Sequence, residues 1–92
     1  MDIKGLNIFI DHLHKYTLNN RIKWSYDTNY TWFKCITPKG YHVTLYKDKS
    51  NYEFTIFRLY NERFEQEAKL KVHENTKDSK VLEIFEFLIG SE

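Results

Sequence analysis

The sequence predicts an α+β fold: a five-stranded antiparallel meander sheet, four-stranded if its short first run does not pair, with an N-terminal and a C-terminal helix packed on one face. Three observations predict it. Apolar residues recur at helical spacing near both ends of the chain, they alternate with polar residues between those ends, and each change of period falls at a cluster of turn-forming residues. Residues 1–92 read as a single small domain, because 41% hydrophobic and 29% charged residues with three Gly and one Pro match a folded globular composition.

Residues 3–16 place Leu6, Phe9, Ile10, Leu13 and Tyr16 at helical spacing, with Asp2 to cap the start and Asn19-Asn20 to end it. The period then changes to two. Ile22, Trp24 and Tyr26 alternate with Lys23 and Ser25, and Asp27-Thr28-Asn29 turns the chain into a second run over 30–37. Pro38-Lys39-Gly40 closes a hairpin into 41–47, and Asp48-Lys49-Ser50-Asn51 closes another into 52–60. In the last strand Phe64, Gln66, Ala68, Leu70 and Val72 alternate with Glu65, Glu67, Lys69, Lys71 and His73. Thr76 or Asp78 then caps a closing helix whose Val81, Leu82, Ile84, Phe85, Leu88 and Ile89 form a wide apolar stripe ended by Gly90.

Loop lengths set the register. A three-residue loop at Pro38-Lys39-Gly40 pairs Cys35 with Val43 and Phe33 with Leu45, and a four-residue loop after Lys47 pairs Leu45 with Phe54 and Val43 with Ile56. A three-residue loop at Asn61-Glu62-Arg63 pairs Phe54 with Leu70, as buried partners, and Ile56 with Ala68. A two-residue turn at Thr28-Asn29 sets Ile22 opposite Cys35 and Trp24 opposite Phe33. One apolar face results, and the two helices cover it.

The other face is predicted to carry Trp32 opposite Tyr46, then Ile36 and His42 beside Phe57, with Leu59 at the end of the fourth strand. A contiguous patch of large apolar groups with no helix over it marks an interaction site. Lys23, Lys34, Thr44 and Thr55 stand on one side of it, and Glu53, Glu65, Glu67, Lys69 and Lys71 on the other. The candidate partner-binding residues are Trp32, Lys34, Ile36, His42, Tyr46, Phe57 and Leu59.

Charge narrows the partner class. The net charge of +1 removes any bulk electrostatic case for a histone-like binder or an acidic DNA mimic. Within the chain, residues 15–51 hold seven basic and two acidic residues, and residues 53–92 six basic and nine acidic. Basic strands interleaved with Trp24, Tyr26, Trp32 and Tyr46 hold the ingredients of a single-stranded nucleic-acid surface. Against this, three of the 14 basic residues are Arg, and no glycine-rich phosphate loop occurs. The α-β-β-β-α core is similar in layout to double-stranded-RNA-binding domains. The closing helix opens Asp78-Ser79-Lys80-Val81-Leu82-Glu83, however, without the basic N-terminus of that layout, and no family is assigned.

Catalysis has little support in the residues. His12 and His14 stand two apart, a spacing that sends them to different helix faces, so they are expected as exposed helix histidines. His73 falls in the charged row of the last strand, and His42 beside the aromatic patch with no assured acid partner. Cys35, the single cysteine, is expected to face the core as an inert thiol; it allows no intrachain disulfide and suits a reducing compartment. No cofactor or metal is expected. No apolar run reaches the ~18 residues of a membrane span and no secretory leader is read at the N-terminus, so the expected setting is cytoplasmic.

Alanine occurs once, lysine supplies 11 of the 14 basic residues, and Asn, Ile and Tyr are abundant, a balance that points to AT-rich codons. Phages and mobile elements of low-GC hosts share that balance. The expectation is therefore a small non-enzymatic protein-binding module, a phage or mobile-element inhibitor of a host defence or regulatory protein in the manner of an anti-CRISPR. The alternative is a single-stranded nucleic-acid-binding protein using the basic first three strands. A homodimer through the aromatic patch is left open.

Overall fold

The computed structural model describes residues 1–27 and 32–90. Its elements run α1 (Ile3–Leu18), β1 (Ser25–Tyr26), β2 (Trp32–Ile36), β3 (Tyr41–Asp48), β4 (Asn51–Tyr60), β5 (Arg63–His73) and α2 (Lys80–Gly90). The strands form one antiparallel sheet in the order β1-β2-β3-β4-β5 with both helices on its inner face, the predicted α+β arrangement.

Helix α1 starts where the Asp2 carboxylate accepts from the Gly5 N–H at 2.7 Å. A Cβ at Gly5 would sit 3.1 Å from that oxygen, so the glycine lets the cap close. At the other end Asn20 takes a left-handed φ of 57°, while the Arg21 N–H reaches the Tyr16 carbonyl at 2.8 Å and the Asn20 N–H the Thr17 carbonyl at 3.0 Å. This is a Schellman-type stop, with asparagine in the place usually held by glycine. Helix α2 starts later than either expected cap, one residue past Asp78 and three past Thr76. Ser79 Oγ accepts from the Leu82 N–H at 3.4 Å, and Asp78 adopts a left-handed φ of 57° instead of capping.

Ile10 and Leu13 of α1 and Val81, Ile84, Phe85 and Leu88 of α2 bury against Phe33, Cys35, Val43, Leu45, Phe54, Ile56 and Val72 of the sheet. Phe85 meets both Phe33 and Tyr52 edge to face, with ring centroids 5.3 and 4.7 Å apart. Buried Thr17 is satisfied by the Trp24 indole, whose Nε1–H donates to its Oγ1 at 3.1 Å and ties the segment after α1 to the core.

The predicted pairs Cys35 with Val43, Phe33 with Leu45, Leu45 with Phe54, Val43 with Ile56, Phe54 with Leu70 and Ile56 with Ala68 are all present. Three details differ. Pairing of β3 with β4 continues to Asp48 and Asn51, which leaves a two-residue turn. The turn joining β4 to β5 is also two residues, Asn61-Glu62, both at left-handed φ (46° and 68°) as a type I′ turn requires. The extra residue that the expected three-residue loop supplied reappears as a β-bulge in β5, where the register steps from Ile56 opposite Ala68 to Phe57 opposite Gln66 and leaves Glu67 over.

At the first hairpin, Tyr26 rather than Trp24 lies opposite Phe33, and Ser25 lies opposite Lys34. The predicted two-residue turn at Thr28-Asn29 falls outside the described residues, but a shift of two keeps side-chain parity. Ile22 and Trp24 still pack on the core. Leu70, on the edge strand β5, is half-buried and not fully buried, while Val72 two residues on is buried. Truncation should grade accordingly: Phe54→Ala is expected to cost about 3–5 kcal/mol and Leu70→Ala about 2 kcal/mol or less. Equal losses in chemical denaturation would contradict the partial burial of Leu70.

Candidate protein-docking face

Alternation along β2, β3 and β4 sends Trp32, Lys34, Ile36, His42, Tyr46, Phe57 and Leu59 to the outer face, the side opposite the helices. All seven predicted residues share that side. They form two groups instead of one patch. Trp32 faces Tyr46 across β2 and β3 at one end, with the Lys34 ammonium 5.6 Å over the Trp32 ring. Ile36, His42, Phe57 and Leu59 gather at the other end. Between them run Thr44 and Thr55, and Thr55 is buried beside the Lys69–Glu53 ion pair, whose Nζ and Oε1 are 3.1 Å apart.

The bulge changes the composition of this face. An unbroken alternation would put Phe64 and Gln66 on the helix side and Glu65 and Glu67 outside. With Glu67 left over, Phe64 pairs with Leu59 and Gln66 with Phe57, so both join the outer face, while Glu65 pairs with Arg58 on the inner side. The Phe64 ring meets His42 edge to face at 4.6 Å. Glu67 accepts a 2.6 Å hydrogen bond from the Tyr60 hydroxyl, and that bond is the main cause of the raised pKa of Tyr60. The Arg58 guanidinium lies over the Tyr41 and Tyr60 rings at 5.2 and 5.6 Å and donates to the Tyr41 hydroxyl at 3.2 Å.

Phe64 is thus a residue of the candidate face that pattern reading missed. The one signal that could have found it is the dipeptide Asn61-Glu62. Taken as a two-residue turn, it forces an extra residue into β5 if Phe54 is still to meet Leu70.

The apolar end is open to solvent: Ile36 is 60% exposed, Phe64 57% and Leu59 50%, and Phe57 and His42 are half-buried. Leaving side chains of this size in water forfeits roughly 1.5–3 kcal/mol each relative to burial. Charge on this face is unbalanced toward the positive. Lys34, Lys69 and Lys71 lie here, and the strand carboxylates are Glu53, already engaged by Lys69, and Asp48 at the β3–β4 turn.

The other three histidines lie on α1 or at the end of β5. His12 is exposed near the Tyr16 ring, at 6.4 Å. His14 departs from expectation: it is half-buried, turned toward α2 with Nε2 3.6 Å from Glu83 Oε1, because α2 packs along that side of α1. His73 Nδ1 accepts from the Asn75 N–H at 3.1 Å. Among the described residues no three His, Cys, Asp or Glu side chains gather as a metal-ligand set, and no helix is long and apolar enough to cross a membrane.

No family model matches the chain, and neither a curated protein nor a solved structure matches it.

Cys35 lies in the core on β2, where burial pushes its thiol from an ordinary 9.0 up to about 12. A thiol with so high a pKa stays protonated through neutral and mildly alkaline solution, so it is a poor nucleophile. Iodoacetamide at pH 8 should leave Cys35 unmodified in the folded protein and alkylate it fully in denaturant. Rapid labelling of the native state, followed by mass spectrometry, would contradict this placement.

Proposed function

We propose that the chain is a non-enzymatic protein-binding module that docks a partner through its outer sheet face. The observation that carries this reading is the exposure of Ile36, Leu59 and Phe64 together on the side without helices. Aliphatic groups such as Ile36 and Leu59 offer no ring for base stacking but suit the dehydrated centre of a protein interface, where half-buried Phe57 and His42 support them. The residue usage of an AT-rich genome supports the narrower role of a phage or mobile-element inhibitor, anti-CRISPR-like, that occupies a site on a host defence or regulatory protein.

A single-stranded nucleic-acid ligand has one observation in its favour, the Trp32–Tyr46 pair beside Lys34 and Lys71. The Lys34 ammonium over Trp32 weighs against it, since a stacking base would have to displace that cation.

Two experiments test these readings. A Leu59→Ser/Phe64→Ser variant should melt near the wild-type temperature, because both side chains are half or more exposed. It should lose a protein that the wild type and the helix-surface control Ile8→Ala both capture from host lysate. The captured protein should also lose its own activity when the chain is bound. Identical capture by the outer-face variant and the wild type would sink the docking-face reading. Titration with labelled oligothymidine covers the alternative: nanomolar binding with a steep salt slope that falls by about one unit in Lys34→Ala would replace it.

A further inference from the structure

At one margin of the outer face the sheet edge is unfinished. β1 has two residues, and its last residue paired toward the α1 side is Ser25 opposite Lys34. The chain of residues 21–24 then diverges to follow Trp24 toward Thr17, leaving a groove of about 350 Å³ beside β2. Arg21, Lys23 and Lys34 line it, with Cys35, Ile36 and Pro38 as its apolar wall, and no carboxylate is among the described lining residues.

Three features favour an anionic guest there. The Asp27 N–H bonds the Trp32 carbonyl at 3.2 Å, so alternation of the ladder directs the Lys34 backbone groups at Ser25 and those of Ile36 into the groove, where no β1 residue lies opposite. The Cys35 thiol in the wall is neutral, its pKa raised by burial. The Tyr16 and Thr17 carbonyls at the end of α1 are already bonded to Arg21 and Asn20, which blunts the negative pole of that helix. Lys34 and Ile36 belong to the groove and to the docking face alike, so a single ligand can span both.

We infer that this groove takes a carboxylate from an acidic, extended segment of the partner protein, lodged among Arg21, Lys23 and Lys34 while its backbone meets the Ile36 N–H. The assignment rests on the docking-face reading for the rest of the interface and adds the partner's chemistry. A second copy of this chain fits less well, since its own outer face brings Lys34, Lys69 and Lys71. A nucleic-acid strand would meet Ile36 and Pro38 where it needs rings. The groove also lies at the small end of the volumes that bind ligands.

The test uses a blocked hexapeptide of alternating Glu and Val, its Gln–Val counterpart, and oligothymidine of the same charge, each titrated into the isotope-labelled protein. The Glu peptide should shift the amides of residues 21–25 and 34–37, and the Gln peptide should not. Arg21→Glu/Lys23→Glu, two exposed positions, should weaken Glu-peptide binding about tenfold or more, as loss of a charged pair does. Leu59→Ser/Phe64→Ser should leave this titration unchanged, so failure of the groove is separable from failure of the docking face. Absence of shifts, shifts centred on Lys69 and Lys71, or tighter binding of the oligothymidine would each overturn the inference.

Discussion

One extra residue in β5 sets the chemistry that each side of the sheet presents. From Ala68 to Val72 the strand must keep its apolar side chains under the helices, because Val72 and half-buried Leu70 complete the core around Phe54. Beyond Ile56 that requirement ends, since Arg58 and Tyr60 on the inner side are already exposed. The bulge at Glu67 switches side-chain parity at that boundary. It moves two acidic residues to the helix side, where Glu67 takes the Tyr60 hydroxyl and Glu65 lies opposite Arg58 in the ladder, and it moves Phe64 to the open side against His42. A mixed-charge face becomes one whose charge is mainly lysine and whose far end is apolar.

The cost of that arrangement is borne by the core. Two helices and one sheet form two layers, and nothing in the described chain supplies a third. The inner layer compensates with close aromatic packing, Phe85 being set edge to face against both Phe33 and Tyr52. The α1–α2 side is joined by Lys80–Asp11 at 2.9 Å and by His14 near Glu83. The exposed Lys80–Asp11 pair adds at most about 1 kcal/mol, so burial of Ile84, Phe85 and Leu88 holds α2 in place. The sheet margins differ in their protection. β5, the long free edge, carries Lys69, Lys71 and a bulge, all devices that discourage edge-to-edge pairing, whereas β2 beyond Lys34 is flanked only by a cationic groove and Pro38.

The helices, the strand order and the core register follow from the sequence alone, because each is decided by local chemistry. Asp2 and Asn20 bound α1, Gly40 with a φ of 89° supplies the left-handed residue of the Pro38-Lys39-Gly40 loop, and period-two alternation assigns Phe33, Val43, Leu45, Phe54 and Ile56 to one side. The sheet face of all seven candidate residues was legible for the same reason: parity relative to a core residue on the same strand fixes it. Parity survives a register error of two, which is why Trp24 still reached the core although it does not pair with Phe33. It does not survive a bulge. The run from Phe64 to His73 alternates without interruption, so nothing in its pattern marks Glu67, and whether a two-residue turn plus a bulge replaces a three-residue loop depends on how β5 must twist to stay on β4 while Leu70 meets Phe54. The division of the outer face into two groups, the admission of Phe64 and the inward turn of His14 toward α2 were likewise decided only by tertiary structure, because each depends on which distant segment packs alongside.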